Sequence, residues 1–151
     1  MTDGRSPIEI LLVEDNPGDE RLTREALREG KVYHKLHWVK DGVQAMEFLK
    51  QRGQYAKVPR PDIILLDLNL PKKDGREVLE EIKSDESLKR IPVVVLTTSK
   101  AEEDIYCSYD SGASSFISKP VTFEGLVDVM KGLGRYWFEI VDLPRQPEQG
   151  K

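Results

Sequence analysis

Four short apolar runs in this chain are each followed directly by groups able to do chemistry. Glu14 and Asp15 follow the run 8–13, and Asp67 follows 63–66. Thr97, Thr98 and Ser99 follow 91–96, and Ser118, Lys119 and Pro120 follow 114–117. Asp67 is the most demanding of these, because "DIILLDLNLP" sets its carboxylate against a purely apolar stretch. An isolated charge in such a place costs several kcal/mol, roughly, unless it is paired or coordinated. If the runs are parallel strands, their ends gather two or three carboxylates, a lysine and a row of hydroxyls. Close carboxylates repel, and a hard divalent cation relieves them. Mg²⁺ fits, since it takes oxygen ligands and often shares its site with a phosphate. Such a constellation suits phosphoryl transfer, where the protein positions groups and stabilises charge. Asp67 would be the nucleophile, and Thr97 and Lys119 would each hold a phosphoryl oxygen.

Taken singly, most of these residues have an ordinary reading. Glu14 and Asp15 could cap a helix, Thr97 and Thr98 could begin a turn, and Lys119-Pro120 could be a surface turn. The conjunction carries the argument, and it depends on the elements that hold it.

The runs 8–13, 63–66 and 91–96 are near-continuous in Val, Ile and Leu, as strands covered on both faces are. The runs 35–39 and 114–117 are mixed, as nearer an edge. Between them lie helical patterns. One starts near Pro17, with Asp19 and Glu20 at its positive end and Gly30 closing it. Others span 43–53, 76–84 and, more weakly, 101–112, and the last runs from Thr122 to about Asp142. This alternation predicts an α/β domain with a parallel sheet and helices on both faces. Ligands in such folds sit at the carboxyl ends of the strands.

A chain of 151 residues suits one domain, and its 38% hydrophobic and 33% charged residues are an ordinary balance for a soluble protein. A net charge of −4 argues against a nucleic-acid-binding face. No apolar run approaches the length of a membrane span, and no signal peptide is evident. The lone Cys107 makes no intrachain disulfide. A cytoplasmic protein is therefore expected.

Together these residues resemble the receiver domain of two-component response regulators. The matching features are the acidic pair Glu14-Asp15, Asp67 in "LLDLNLP" followed by "KKDG", the hydroxyl of Thr97, and Lys119 in "SKP". The resemblance implies a flavodoxin-like (βα)5 sandwich with five parallel strands in the order 2-1-3-4-5. It implies a receiver over 8–142, an extension at 1–7, a flexible tail at 143–151 and no output domain. Asp67 would accept a phosphoryl group from a histidine kinase, and the domain would itself catalyse the transfer and slow autodephosphorylation. Mg²⁺ would be held by Asp15, Asp67 and the backbone carbonyl of Asn69, with Glu14 reaching it through water. Thr97 and Phe116 would be the switch pair that alters a protein-binding surface. Two departures stand out: Glu14 replaces a frequent aspartate, and Thr98 is bulkier than the residue often beside the switch hydroxyl. The stretches "EDNPGDERLTREAL", "LDLNLPKKDGREVLEEIK" and "IPVVVLTTS" resemble the single-domain regulators paired with phytochromes, which would make the donor a red/far-red photoreceptor kinase.

The last predicted helix is apolar over a broad arc that includes Leu126, Val127, Met130, Leu133, Trp137, Phe138 and Val141. One packed face needs a stripe of ~100° or more, and this arc is wider. Either its final turns fold back on their own domain, or they pair two copies through Tyr136, Trp137 and Phe138. The homodimer is the expectation.

Other classes fit less well. A dehalogenase-type phosphatase needs a second aspartate two residues beyond the nucleophile, where Asn69 stands. A flavodoxin-like cofactor binder needs a phosphate loop after the first strand, where "VEDNPGDE" is acidic. A receiver acting purely as a binding module is argued against by the complete set of acids, hydroxyl and lysine.

Overall fold

The computed structural model describes residues 6–68, 70, 72–97, 115–118 and 122–136. Five strands lie in it: β1 (Ile8–Val13), β2 (His34–Val39), β3 (Ile63–Asp67), β4 (Val93–Thr97) and β5 (Ser115–Ser118). They form one parallel sheet in the order β2-β1-β3-β4-β5, as expected. Among the described residues four α-helices accompany them: α1 (Pro17–Glu29), α2 (Gly42–Leu49), α3 (Gly75–Ser84) and α4 (Phe123–Tyr136).

The near-continuous apolar runs are explained by a core on each face. Leu11, Val13, Ile64 and Leu66 point to one side, where Phe48 and Leu49 of α2 and Val78, Leu79 and Ile82 of α3 cover them. Ile10, Leu12, Ile63 and Leu65 point to the other, against Ala26 and Leu27 of α1 and Val127 and Met130 of α4. Strand side chains alternate faces, so a strand covered twice must be apolar at every position. β2 lies at an edge, and its residues are mostly half-buried. The broad apolar arc of α4 is largely taken up by its own domain over these residues: Leu126, Val129 and Leu133 pack on the same core as Val127 and Met130.

Several boundaries differ from the sequence reading. β4 begins and ends later than 91–96, and β5 later than 114–117. The helix expected over 43–53 stops at Leu49; Gln51 is left-handed (φ 55°), and a short 3-10 turn, Gly53–Tyr55, follows. Gly30 does follow α1, but the left-handed residue there is Lys31 (φ 60°). The expected helix 101–112, residues 1–5 of the extension and the tail 143–151 lie outside the described residues.

Candidate metal centre

The parallel register brings the chemically active strand ends to one edge of the sheet. Val13, the last residue of β1, pairs with Leu66, so Glu14 and Asp15 emerge beside Asp67 at the end of β3. Asp67 in turn pairs with Leu96, and Thr97 with Ser118. Carboxylate oxygens of Glu14, Asp15 and Asp67 lie within 4.8 Å of one another. Glu14 and Asp67 are buried, at 2% and 7% exposure, while Asp15 is exposed. A hard-oxygen triad that is buried on one side and open on the other fits a divalent ion that retains water. These three residues are the acids that the sequence singled out, and their carboxylates could hold a divalent ion.

Thr97 is the last residue of β4 rather than the first beyond it, and the backbone of Phe116 lies within β5. Asn69, Lys119, Trp137 and Phe138 lie outside the described residues, and Tyr136 is the last residue of α4.

Local sequence explains how the acids are presented. Asn16 accepts a hydrogen bond from the Asp19 N–H (3.0 Å) and caps α1, which starts on Pro17. The Asn16 N–H donates to Glu14 Oε2 (3.3 Å), so the Glu14 side chain is tied to the turn that leads into α1. The Glu14 N–H donates to the Val39 carbonyl (3.1 Å), and the Trp38 indole Nε1–H donates to the Glu14 carbonyl (2.7 Å).

The loop after Asp67 is braced by two helix starts that share one dipeptide. Asp41-Gly42 opens α2 and Asp74-Gly75 opens α3. Asp41 Oδ1 accepts from the Gln44 N–H (2.8 Å), and Asp74 forms a reciprocal capping box with Glu77. Each glycine then meets backbone. A β-carbon on Gly75 would lie 2.4 Å from the Asp67 carbonyl oxygen, and one on Gly42 would lie 2.1 Å from that of Lys73. Between them Lys72 adopts a left-handed conformation (φ 65°), and its ammonium lies 3.6 Å from the buried Asp41 carboxylate. Lys73 pairs with Glu81 of α3 at 2.7 Å, and that hydrogen bond raises its pKa above the ordinary lysine value. Asp41, Gly42, Gly75 and Trp38 were not read as site residues from sequence. The repeated Asp-Gly pair was a usable signal for the first three; Trp38 had none, because its partner is 24 residues away.

A doubly wound sheet of this order, with an acidic triad at the carboxyl ends of β1 and β3, is the arrangement of a phospho-acceptor signalling domain. The family model of the response regulator receiver domain matches residues 10–131, and the chain belongs to that family. It is 49% identical to the response regulator Rcp1 of Synechocystis over 145 residues, covering 95% of this chain and 99% of that protein. The crystal structure of the phosphorylated cyanobacterial phytochrome response regulator RcpA is similar, with a TM-score of 0.80 and 53% identity over 88% of this chain and 95% of that one. The Mn²⁺-bound form of Rcp1 superposes with a TM-score of 0.79 at 49% identity, over 89% and 96% of the two chains. No helix among the described residues is long and apolar enough to cross a membrane.

Proposed function

We propose that this response regulator accepts a phosphoryl group on Asp67 from the phosphohistidine of a phytochrome-type kinase, with Mg²⁺ held by Glu14, Asp15 and Asp67. The observation that carries the reading is the triad of carboxylates within 4.8 Å at the ends of β1 and β3. A carboxylate oxygen of Asp67 attacks phosphorus; the O–P bond forms as the P–N bond breaks, and the departing imidazole takes up a proton. A bound Mg²⁺ would offset the negative charge that the phosphoryl oxygens bring to three carboxylates. Asp15, exposed at the rim, would hold that ion from the β1 side, and Glu14, tied to Asn16, would reach it through water. The backbone carbonyl of Asn69 completes the set in this reading. Thr97 and Lys119 take the phosphoryl oxygens, and Phe116 moves with Thr97 to change the surface that partners meet. The domain also hydrolyses its own aspartyl phosphate slowly. The kinase assignment is supported by similarity to RcpA and Rcp1 and by the 41%-identical bacteriophytochrome response regulator RtBRR. A homodimer through Tyr136, Trp137 and Phe138 belongs to the same proposal, as does a cytoplasmic location.

The direct test is transfer from a radiolabelled, autophosphorylated phytochrome kinase. Label should pass to the wild-type chain within minutes and not to Asp67→Asn. A kinase that keeps its label in the presence of wild type would count against the phytochrome pairing. Labelling of Asp67→Asn would count against the acceptor.

A further inference from the structure

We propose that Trp38 is a positioning residue for the metal centre, setting the Glu14–Asp15 peptide through its indole N–H. The inference rests on the reading of Glu14, Asp15 and Asp67 as the Mg²⁺ site.

β1 ends at Val13, which pairs with Val39 on one side and Leu66 on the other. Past these pairs the chain must aim two carboxylates at Asp67. β2 supplies the constraint twice over. The Val39 carbonyl accepts the Glu14 N–H at 3.1 Å, and the Trp38 indole donates to the Glu14 carbonyl at 2.7 Å. The first bond orients the peptide before Glu14, the second the peptide after it. Because a peptide unit is planar, holding the Glu14 carbonyl also holds the Asp15 nitrogen and the direction in which Asp15 departs. Tryptophan has one donor and no acceptor, so this bond uses all of its hydrogen-bonding capacity.

The surroundings show that Trp38 is not placed for burial alone. Its ring is half-buried on the edge strand and lines an open groove of about 490 Å³ with Glu20, Arg24, His34 and Leu36. The Lys40 ammonium sits 5.1 Å from the ring centroid. A smaller aliphatic residue could cover the same edge of the core, but it could not reach the carbonyl of the first metal-binding residue.

The test separates the N–H from the ring. Trp38 is replaced by benzothienylalanine, which keeps the shape and exchanges the N–H for sulfur, and separately by phenylalanine. Mg²⁺ affinity is then titrated by amide and indole NMR shifts at a temperature where both variants are folded. Wild type should show the Trp38 indole N–H resonance moving with added Mg²⁺, and the variants should bind Mg²⁺ about three- to tenfold more weakly, the scale of one hydrogen bond. Acetyl phosphate labelling at subsaturating Mg²⁺ should slow in proportion and recover at saturating Mg²⁺. Unchanged Mg²⁺ affinity in the benzothienylalanine protein, with wild type binding normally, would overturn the role of Trp38 and leave the metal centre standing. Wild type that fails to bind Mg²⁺ would overturn both.

Discussion

Gly42 at the start of α2 lies directly against the carbonyl of Lys73, where a β-carbon would stand 2.1 Å from the oxygen and 2.7 Å from the Lys73 β-carbon. No real contact is so short, so any side chain at position 42 must push back the loop that follows Asp67. Gly42→Ala should destabilise the domain by at least ~1–3 kcal/mol, the usual scale of overpacking. It should also slow phosphorylation of the protein that remains folded. Urea unfolding reads the first effect, and acetyl phosphate labelling at low urea-free temperature reads the second. A variant with wild-type stability would contradict the close approach.

Asp74→Ala removes one half of a capping box in which the Glu77 side chain also accepts from the Asp74 N–H at 3.2 Å. The expected loss is about 1 kcal/mol. Asp74→Ser, which can still cap, should recover most of it in the same unfolding assay.

Asp85 follows α3 and accepts from both the hydroxyl (2.7 Å) and the backbone N–H (2.8 Å) of Ser87. These bonds, the hydroxyl first, hold its carboxyl below the ordinary aspartate value. A depressed pKa means that the folded state binds the proton less readily than the unfolded chain. The contribution is therefore present above the ordinary aspartate range and is lost as pH falls through the lower folded value. Asp85→Asn should flatten the acid limb of the stability curve and leave its slope near neutral pH unchanged. An unaltered acid limb would contradict the shift.

The dimer reading predicts that Trp137→Glu combined with Phe138→Lys gives a soluble monomer with normal Asp67 labelling. Light scattering decides it: a mass unchanged from wild type, whether of one copy or two, contradicts an interface built on these rings.

The strand order came from the family resemblance, whereas the gathering of Glu14, Asp15 and Asp67 was legible from the residues themselves. Parallel strands buried on two faces are apolar throughout, so their polar continuations must mark a common edge. β1 could be read to the residue for this reason. Edge strands carry a weaker pattern, and β5 was misplaced by one position. The end of α1 was read correctly from Gly30, but α2 stops at Leu49, ahead of a left-handed turn at Gln51 that its residue type does not announce. Contacts away from that common edge were not legible. That Trp38 meets Glu14, or that Gly42 meets Lys73, depends on the β1–β2 register and on how closely α2 sits to the loop, neither of which a local pattern encodes.

The most direct measurement is the intact mass of the protein after incubation with acetyl phosphate, with Mg²⁺ and with excess chelator, for wild type and Asp67→Asn. The account predicts one base-labile phosphoryl group on wild type with Mg²⁺, none with chelator and none on Asp67→Asn. No adduct on wild type that has been shown to bind Mg²⁺, or an adduct that persists in Asp67→Asn, would contradict it.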